Sequence, residues 1–347
     1  LALTISFSMN AQTGNTATGT NALLSVQSGG NNNSAFGYYS LYFNTTGSDN
    51  TASGFYSLFS NTTGSYNTAS GNGSLYSNTT GVRNTASGDG SLYSNTTGSQ
   101  NTASGYDSLY FNTTGSNNTA SGFYSLYSNT TGNYNTASGY GALYTNTTGV
   151  RNTASGYFSL FSNTTGSRNT SFGYDSLISN TTGNYNTVFG YNAQASANNS
   201  TNQTVIGYEA TGQTDNSVVL GNDNVTAVYM GEDSGAKVYA GEGSFNGDVI
   251  IAGNLAISSD ARLKANIVSL GSTLSRLLLI DGKTYTMKKD GKQKIGVLAQ
   301  DIREVFPELV SEDANEMLAV NYQGLVPVLI NALKEQDGKM NQQQSEI

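Results

Sequence analysis

The stretch "ISSDARLKANI", residues 257–267, gathers two Ser, an Asp, an Arg and a Lys where a nearly charge-free repeat array meets an ordinarily charged tail. The chain has no Cys and no His. That removes thiol nucleophiles, Ser-His-Asp triads, zinc fingers and imidazole metal sites together. What remains at this border is a Ser hydroxyl with a Lys amine as its base. Such a Lys must be neutral when it acts, and burial or nearby cations depress its pKa, whereas an exposed Lys stays charged. The separation between Ser259 and Lys264 does not place both side chains on one helix face, so the segment must turn or extend to join them. This differs from the helical S-x-x-K arrangement of β-lactamases. Backbone N–H groups of the turn would have to form the oxyanion hole. On these residues alone, the competing reading is a solvated charge cluster in a surface loop.

Composition bounds the rest. Of 347 residues 41 are Gly, 23 Tyr and only two Pro, with 11% charged and 36% apolar. That is neither a disordered polyelectrolyte nor the make-up of an ordinary enzyme. A net charge of −8 without a basic cluster argues against nucleic acid as a partner. No apolar run is long enough for a transmembrane helix. Residues 1–12, within "LALTISFSMNAQT", read as the end of an apolar h-region with a small-residue site near Ala11 and Gln12. A charged n-region is missing, so this is expected to be the remnant of a secretory signal peptide; a short buried strand is the alternative.

From Asn33 a unit of the form N-T-A-S-G-x-x-S-L-Y-S-N-T-T-G-x-x recurs every 17 residues, up to a decaying copy at Asn186. After Gly207 the spacing shortens to 14, with Gly221 closing "NSVVLG". Seventeen residues suit one coil of a β-solenoid, read as two short strands and two turns. Asn and Gly of N-T-T-G accept the positive φ of one turn, and the Gly of "NTASG" marks the other corner. Two apolar columns follow: the residue two before that Gly (Ala52, Ala69, Ala86) and the Leu of "SL" (Leu58, Leu75, Leu92). One Ala and one Leu per coil make a thin core for the entropy of ordering 17 residues. A column of aromatics (Tyr42, Phe59, Tyr76, Tyr93 and onward) is expected to stand along one edge. Burying it between chains would make a parallel homotrimer. The residue before the Gly is Phe36, Phe172, Phe189, Ile206 and Leu220 toward the ends, which suggests a fatter core there.

These units resemble the heads of trimeric autotransporter adhesins of the YadA type. "NSVVLG" (216–221) and "QTVIG" (203–207) lie close to their N-S-V-A-I-G units, while "NTASG" and "SLYSNTTG" depart from them. The resemblance implies a trimeric β-roll on a surface fibre. Nine N-T-T sequons (Asn44, Asn61, Asn78 and onward) could accept glycans, against turn-forming Asn-Thr ladders as the favoured reading. Thr pairs such as Thr62 and Thr63 would suit an ice-binding ladder only if they left the turns. Asp is too sparse for a calcium cage. Residues 33–185 hold no Lys or Glu, so no glycosidase carboxylate pair is expected. Variable positions such as Phe55-Tyr56, Asp89-Gly90 and Tyr106-Asp107 are the candidates for an adhesive face.

Beyond residue 231 short β-hairpins are expected to 258, followed by a compact α+β segment. "TLSRLLLIDGKTYTM" predicts a short helix, a turn at Asp281-Gly282 and a strand. "KIGVLAQDIREVFPELV" predicts a strand running into a helix that stops near Pro307. Leu325, Val328, Leu329, Ala332 and Leu333 form a helical stripe, of the kind that pairs or trimerises as a coiled coil. "SDARLKANI" (259–267), "GKTY" (282–285), "IGVLAQDIREVFPELV" (295–310) and "VNYQGLVPVLINALKEQ" (320–336) together resemble the C-terminal intramolecular chaperone and auto-cleavage domain of phage endosialidase tail spikes, which also occurs in myelin regulatory factor. The resemblance implies a domain that trimerises, helps the preceding β-structure fold, then cuts itself off. It makes Ser259 the attacking hydroxyl and Lys264 its general base, with Asp260 orienting the loop or bracing Arg262.

The expected architecture is therefore mainly β. A signal remnant (1–12) precedes a trimeric parallel β-solenoid of 17-residue repeats (13–231), a β-rich connector (232–258) and an α+β chaperone domain ending in a helix (259–347). The expected function is an extracellular fibre or adhesin that needs no cofactor or metal and whose only catalysis is one cut in itself. A phage tail fibre binding a host receptor is the alternative, and an ice-binding solenoid a lesser one. Expected partners are two further copies and a host-cell or glycan receptor.

Overall fold

The computed structural model describes residues 13–27, 29–226, 228, 260–288, 291–312 and 316–346. It comprises two compact units, divided between Val238 and Tyr239. The signal remnant, the connector and Ser259 lie outside the described residues.

In the first unit thirteen three-residue strands, β1 (Thr16–Thr18) to β13 (Val218–Leu220), stack in sequence order into one parallel sheet. The register repeats the sequence period: Ala52 lies over Ala69, and Ala69 over Ala86. At the C-terminal end Thr204 pairs with Val218, the shortened step of 14. A Thr-Ala-Ser strand turns its Ala into the core and its Thr and Ser outward. The following Gly then breaks the strand at a φ near +138°, where only Gly is at ease. A Cβ on Gly71 would lie 2.3 Å from the Gly88 carbonyl oxygen of the next coil.

Each coil has one strand, not two. The remainder of the coil is turn: its Leu adopts a left-handed conformation (Leu58, φ 50°), as do Tyr56 (φ 54°) and Tyr66 (φ 60°) in the same coil. Such residues cost about 1–2 kcal/mol each, so something must hold them. The backbone between them bonds from coil to coil: Leu58 N–H donates to Ser74 O at 2.9 Å and Ser60 N–H to Tyr76 O at 2.9 Å. Leu58 itself is fully buried. Turn residues thus form an inter-coil ladder without being strands.

The core is also less thin than Ala and Leu alone would make it. Two columns of Asn are fully buried beside them. In the first, Asn61 Nδ2 donates to Asn44 Oδ1 (2.7 Å) and to Gly64 O (2.9 Å), and Asn78 repeats the pattern one coil on. In the second, the Asn67 amide and backbone N–H both donate to Asn50 Oδ1, while Asn67 Nδ2 also reaches Gly81 O at 2.9 Å. Within the columns each buried amide is therefore spent on its neighbours, Asn180 Oδ1 at the end excepted, which is what makes a polar core tolerable. The first column ends at Asn180, whose Oδ1 has no partner, because position 197 is Ala. The Gly of N-T-T-G is sterically fixed as well: a Cβ on Gly64 would fall 2.4 Å from Asn61 Oδ1.

The sequon Asn residues sit in the core with their amides bonded, in keeping with the favoured reading of Asn ladders and not glycan acceptors. Two other expectations are corrected. The aromatic column is half-buried by stacking on itself, with Tyr76, Tyr93 and Tyr110 spaced 4.8 and 5.0 Å apart and nearly parallel. Phe36, Phe172, Phe189, Ile206 and Leu220 do not fatten the core. They alternate outward with the strand pleat and stand exposed.

The second unit is a small α+β body. Helix α1 (Leu274–Leu277) leads into the hairpin β14 (Lys283–Thr286) and β15 (Gln293–Gly296), then helix α2 (Ala299–Val305), which stops before Pro307. A second hairpin, β16 (Val310–Glu312) and β17 (Leu318–Val320), precedes the 21-residue helix α3 (Leu325–Ser345). Ile302 and Phe306 of the α2 segment bury against Val328 of α3. The α3 stripe divides: Val328 and Ala332 face this core, while Val326, Leu329, Ile330 and Leu333 are exposed. The second hairpin had no sequence signal, since its strands are only three residues long.

Replacing Asn95 by Ala removes the bonds to Asn78 Oδ1 and Gly98 O and takes from Asn112 Nδ2 one of its two acceptors, leaving Gly115 O. Thermal or denaturant unfolding should report a loss of about 2 kcal/mol or more. The exposed control Thr97→Ala should stay within about 0.5 kcal/mol.

Candidate functional site

Asp260 opens the described part of the junction, and its side chain caps a single 3-10 turn, Ala261–Leu263. Its Oδ1 accepts the Arg262 backbone N–H at 2.9 Å, and both carboxylate oxygens take the guanidinium, Nη2 approaching Oδ2 to 2.6 Å. These bonds, the guanidinium first, hold the Asp260 carboxyl below its ordinary value. Asp260 thus braces Arg262 and shapes the turn in one contact. Lys264 follows the turn in extended conformation, its N–H donating to Ala261 O at 3.1 Å. The described segment Asp260–Lys264 is therefore a single tight turn followed by extended chain.

Lys264 is exposed, and so is every residue from Ala261 to Leu270. Leu263, Ile267 and Val268 are among them, at 73%, 67% and 83% exposure.

Behind the loop a clasp, for which the sequence held no signal, ties the start of α1 to α3. Glu335 takes the Ser272 hydroxyl at 2.7 Å and the backbone N–H groups of Thr273 and Leu274. Thr273 Oγ1 donates to Val328 O at 3.1 Å. Arg276 lies over the Phe306 ring, 4.1 Å from its centre, and donates through Nε to Val305 O. Tyr322 accepts the Val297 N–H at 3.1 Å. The start of α1 is thereby anchored to α3. Among the described residues no cluster could hold a metal, and no helix is long and apolar enough to cross a membrane.

Residues 259–311 match the family model described as "Chaperone of endosialidase". This segment is a chaperone-of-endosialidase domain. The match opens at Ser259, takes in "SDARLKANI", "GKTY" and "IGVLAQDIREVFPELV", and ends before "VNYQGLVPVLINALKEQ". The chain is also similar to long tail fiber protein Gp37 of Escherichia phage AR1, 32% identical over 89 residues, which are 23% of this chain and 8% of that protein. Gp37 of Salmonella phage S16 is 24% identical over 142 residues, 38% of the chain and 19% of that protein. Gp37 of Enterobacteria phage T2 is 29% identical over 116 residues, 29% of the chain and 9% of that protein. The chain thus spans less than a fifth of the length of these relatives. A β-solenoid array, a chaperone-of-endosialidase domain and long tail fibre relatives together support a structural fibre.

The clasp makes a pH prediction for the chaperone domain. The backbone N–H of Thr273 and the Ser272 hydroxyl lower the Glu335 carboxyl below its ordinary value of 4.5. A depressed carboxyl contributes stability above its unfolded pKa and loses it as pH falls through the folded one. Hydrogen exchange at the Thr273 and Leu274 amides should therefore be slow and level above pH 4.5, after correction for intrinsic rates, and lose protection below it. Glu335→Gln should weaken that protection at neutral pH and flatten its acid dependence.

Proposed function

We propose that the chain is part of a homotrimeric, virion-borne tail fibre whose chaperone domain drives trimerisation and then severs itself beside Ser259. The observation that carries this reading is the pairing of a seventeen-residue solenoid with a chaperone-of-endosialidase match that opens at Ser259. The tail fibre relatives favour the virion over a bacterial surface filament, which rests on residues 1–12 and the YadA-type resemblance of the repeats. Binding of a host receptor follows from the same relatives.

Trimerisation has support in both units. On the solenoid sheet Phe172, Phe189, Ile206 and Leu220 form an outward apolar strip over four successive coils, with Val218 beside it. Two further copies packed about a common axis would bury this strip, a role the sequence had suggested for the tyrosine column. On α3, Val326, Leu329, Ile330 and Leu333 stand at coiled-coil spacing and exposed.

In the self-cleavage, the Ser259 hydroxyl attacks an adjoining peptide carbonyl carbon while Lys264 takes its proton and passes it to the leaving amine. Water then hydrolyses the ester. Lys264 is exposed in the single chain, and a general-base Lys needs a site closed to water, so the cut requires that neighbours cover it. Leu263, Ile267 and Val268 supply the apolar surface by which two partner chains would do so. Cleavage is thereby made conditional on assembly.

Mass spectrometry of the purified chain checks the chemistry: wild type should lose the segment after the junction, and Ser259→Ala and Lys264→Ala should stay intact. Identical full-length masses in all three would rule out the cut. Light scattering checks the assembly. Ser259→Ala should be trimeric, while Ile206→Asp combined with Leu333→Asp should shift it toward monomer and, in the Ser259 background restored, slow cleavage at least tenfold.

A further inference from the structure

The first position after each corner Gly carries a stack of aromatic rings up the solenoid, broken at one place. Tyr38 lies on Phe55 (5.2 Å), and Tyr106 begins a second stack through Phe123, Tyr140, Tyr157 and onward at about 5 Å per step. Between Phe55 and Tyr106 the two intervening coils have Asn72 and Asp89 instead. In the same two coils the next position also changes, from Tyr56 to Gly73 and Gly90. The two Gly leave the ring positions empty: a Cβ on Gly73 would touch the Tyr93 ring at 3.1 Å, and one on Gly90 would displace Asp107 Oδ1. Four positions in register thus leave an open groove of about 440 Å³.

The groove has a built character. Its floor is the edge of the parallel stack Tyr76, Tyr93 and Tyr110. Its ends are rings: Phe55 and Tyr106 are 50% and 44% exposed and carry no ring on the sides that face each other. Three coil steps separate them, about 14 Å at the strand spacing. Asn72 donates to Asp89 at 3.3 Å along the side. Asp107 is pushed up by burial and by the charge of Asp89. These two carboxylates come together although the sequence reading expected no carboxylate pair in the repeats. No cation lines the groove.

Ring walls at both ends, phenol edges beneath and paired carboxylate and amide groups at the side are complementary to one kind of molecule. A sugar ring offers a C–H face to an aromatic wall and adjacent hydroxyls to a carboxylate or amide. The two carboxylates repel anionic ligands. We infer that the groove between Phe55 and Tyr106 binds a short uncharged oligosaccharide, making the flank of the solenoid a glycan-reading surface of the fibre. This rests on the fibre reading and names the receptor class that the reading leaves open.

The test uses the full-length Ser259→Ala chain and saturation-transfer NMR against neutral oligosaccharides of glucose, galactose, mannose and N-acetylglucosamine, each beside a uronic- or sialic-acid counterpart. At least one neutral oligosaccharide should bind, its acidic counterpart at least tenfold more weakly. Asn72→Tyr with Asp89→Tyr restores the ring stack found in the other coils, so the fold is kept and binding should fall at least tenfold. Asp107→Asn should weaken binding without altering the melting temperature. Failure of every neutral sugar, equal binding of acidic ones, or full binding by the filled-in variant each overturns the inference. Light scattering on the same samples separates the two readings: a trimer that binds no sugar sinks the glycan site alone, and a monomer sinks the fibre.

Discussion

The structure depends on one constraint: every position in a coil must be satisfied by the same position one coil away. Strand spacing fixes that distance at about 4.8 Å. At this distance two side-chain amides in register reach each other and a backbone carbonyl at once, as Asn61, Asn44 and Gly64 do. All these amides point the same way along the stack, so each bond polarises the next. The Asn columns give the coil the enthalpy that one Ala and one Leu do not. They also hold left-handed residues such as Leu58 that the chain would otherwise avoid.

Much of the fold was legible in the sequence. The seventeen-residue period, the corner Gly and the inward Ala column came directly from self-similarity, and the shortened last step from the position of Gly221. Asn44 and its repeats illustrate where legibility ended. Asn is read as a turn residue because its side chain mimics backbone, and that reading holds for an isolated turn. Stacked in register, the same side chain becomes a core residue, and periodicity alone does not show which side of the backbone it lies on. The same ambiguity sent Phe172 and Ile206 to the core: with a strand of three residues, one step along the pleat moves a side chain from inside to outside.

At the junction, the residue types and order suggested a chemistry, and the brace between Asp260 and Arg262 was anticipated. The Glu335 clasp was not, because its partners lie more than sixty positions earlier and two of them are backbone groups. Exposure of Lys264 was equally illegible. A surface Lys and a catalytic one share a letter, and their difference lies in what covers them. For the groove, the sequence marked the variable positions, but only the stacking of coils turns two consecutive Asx-Gly pairs into one hollow.

A rod whose every layer is its neighbour's mate has a further property. The Gly, Asn and Ala columns ask nothing of a coil except that it begin on the beat, so a whole seventeen-residue unit can be gained or lost without creating a new kind of contact. Out-of-frame changes, by contrast, throw every column off at once. Length then becomes a digital quantity, set by how many near-identical seventeen-residue units the chain holds and changed in single-coil steps.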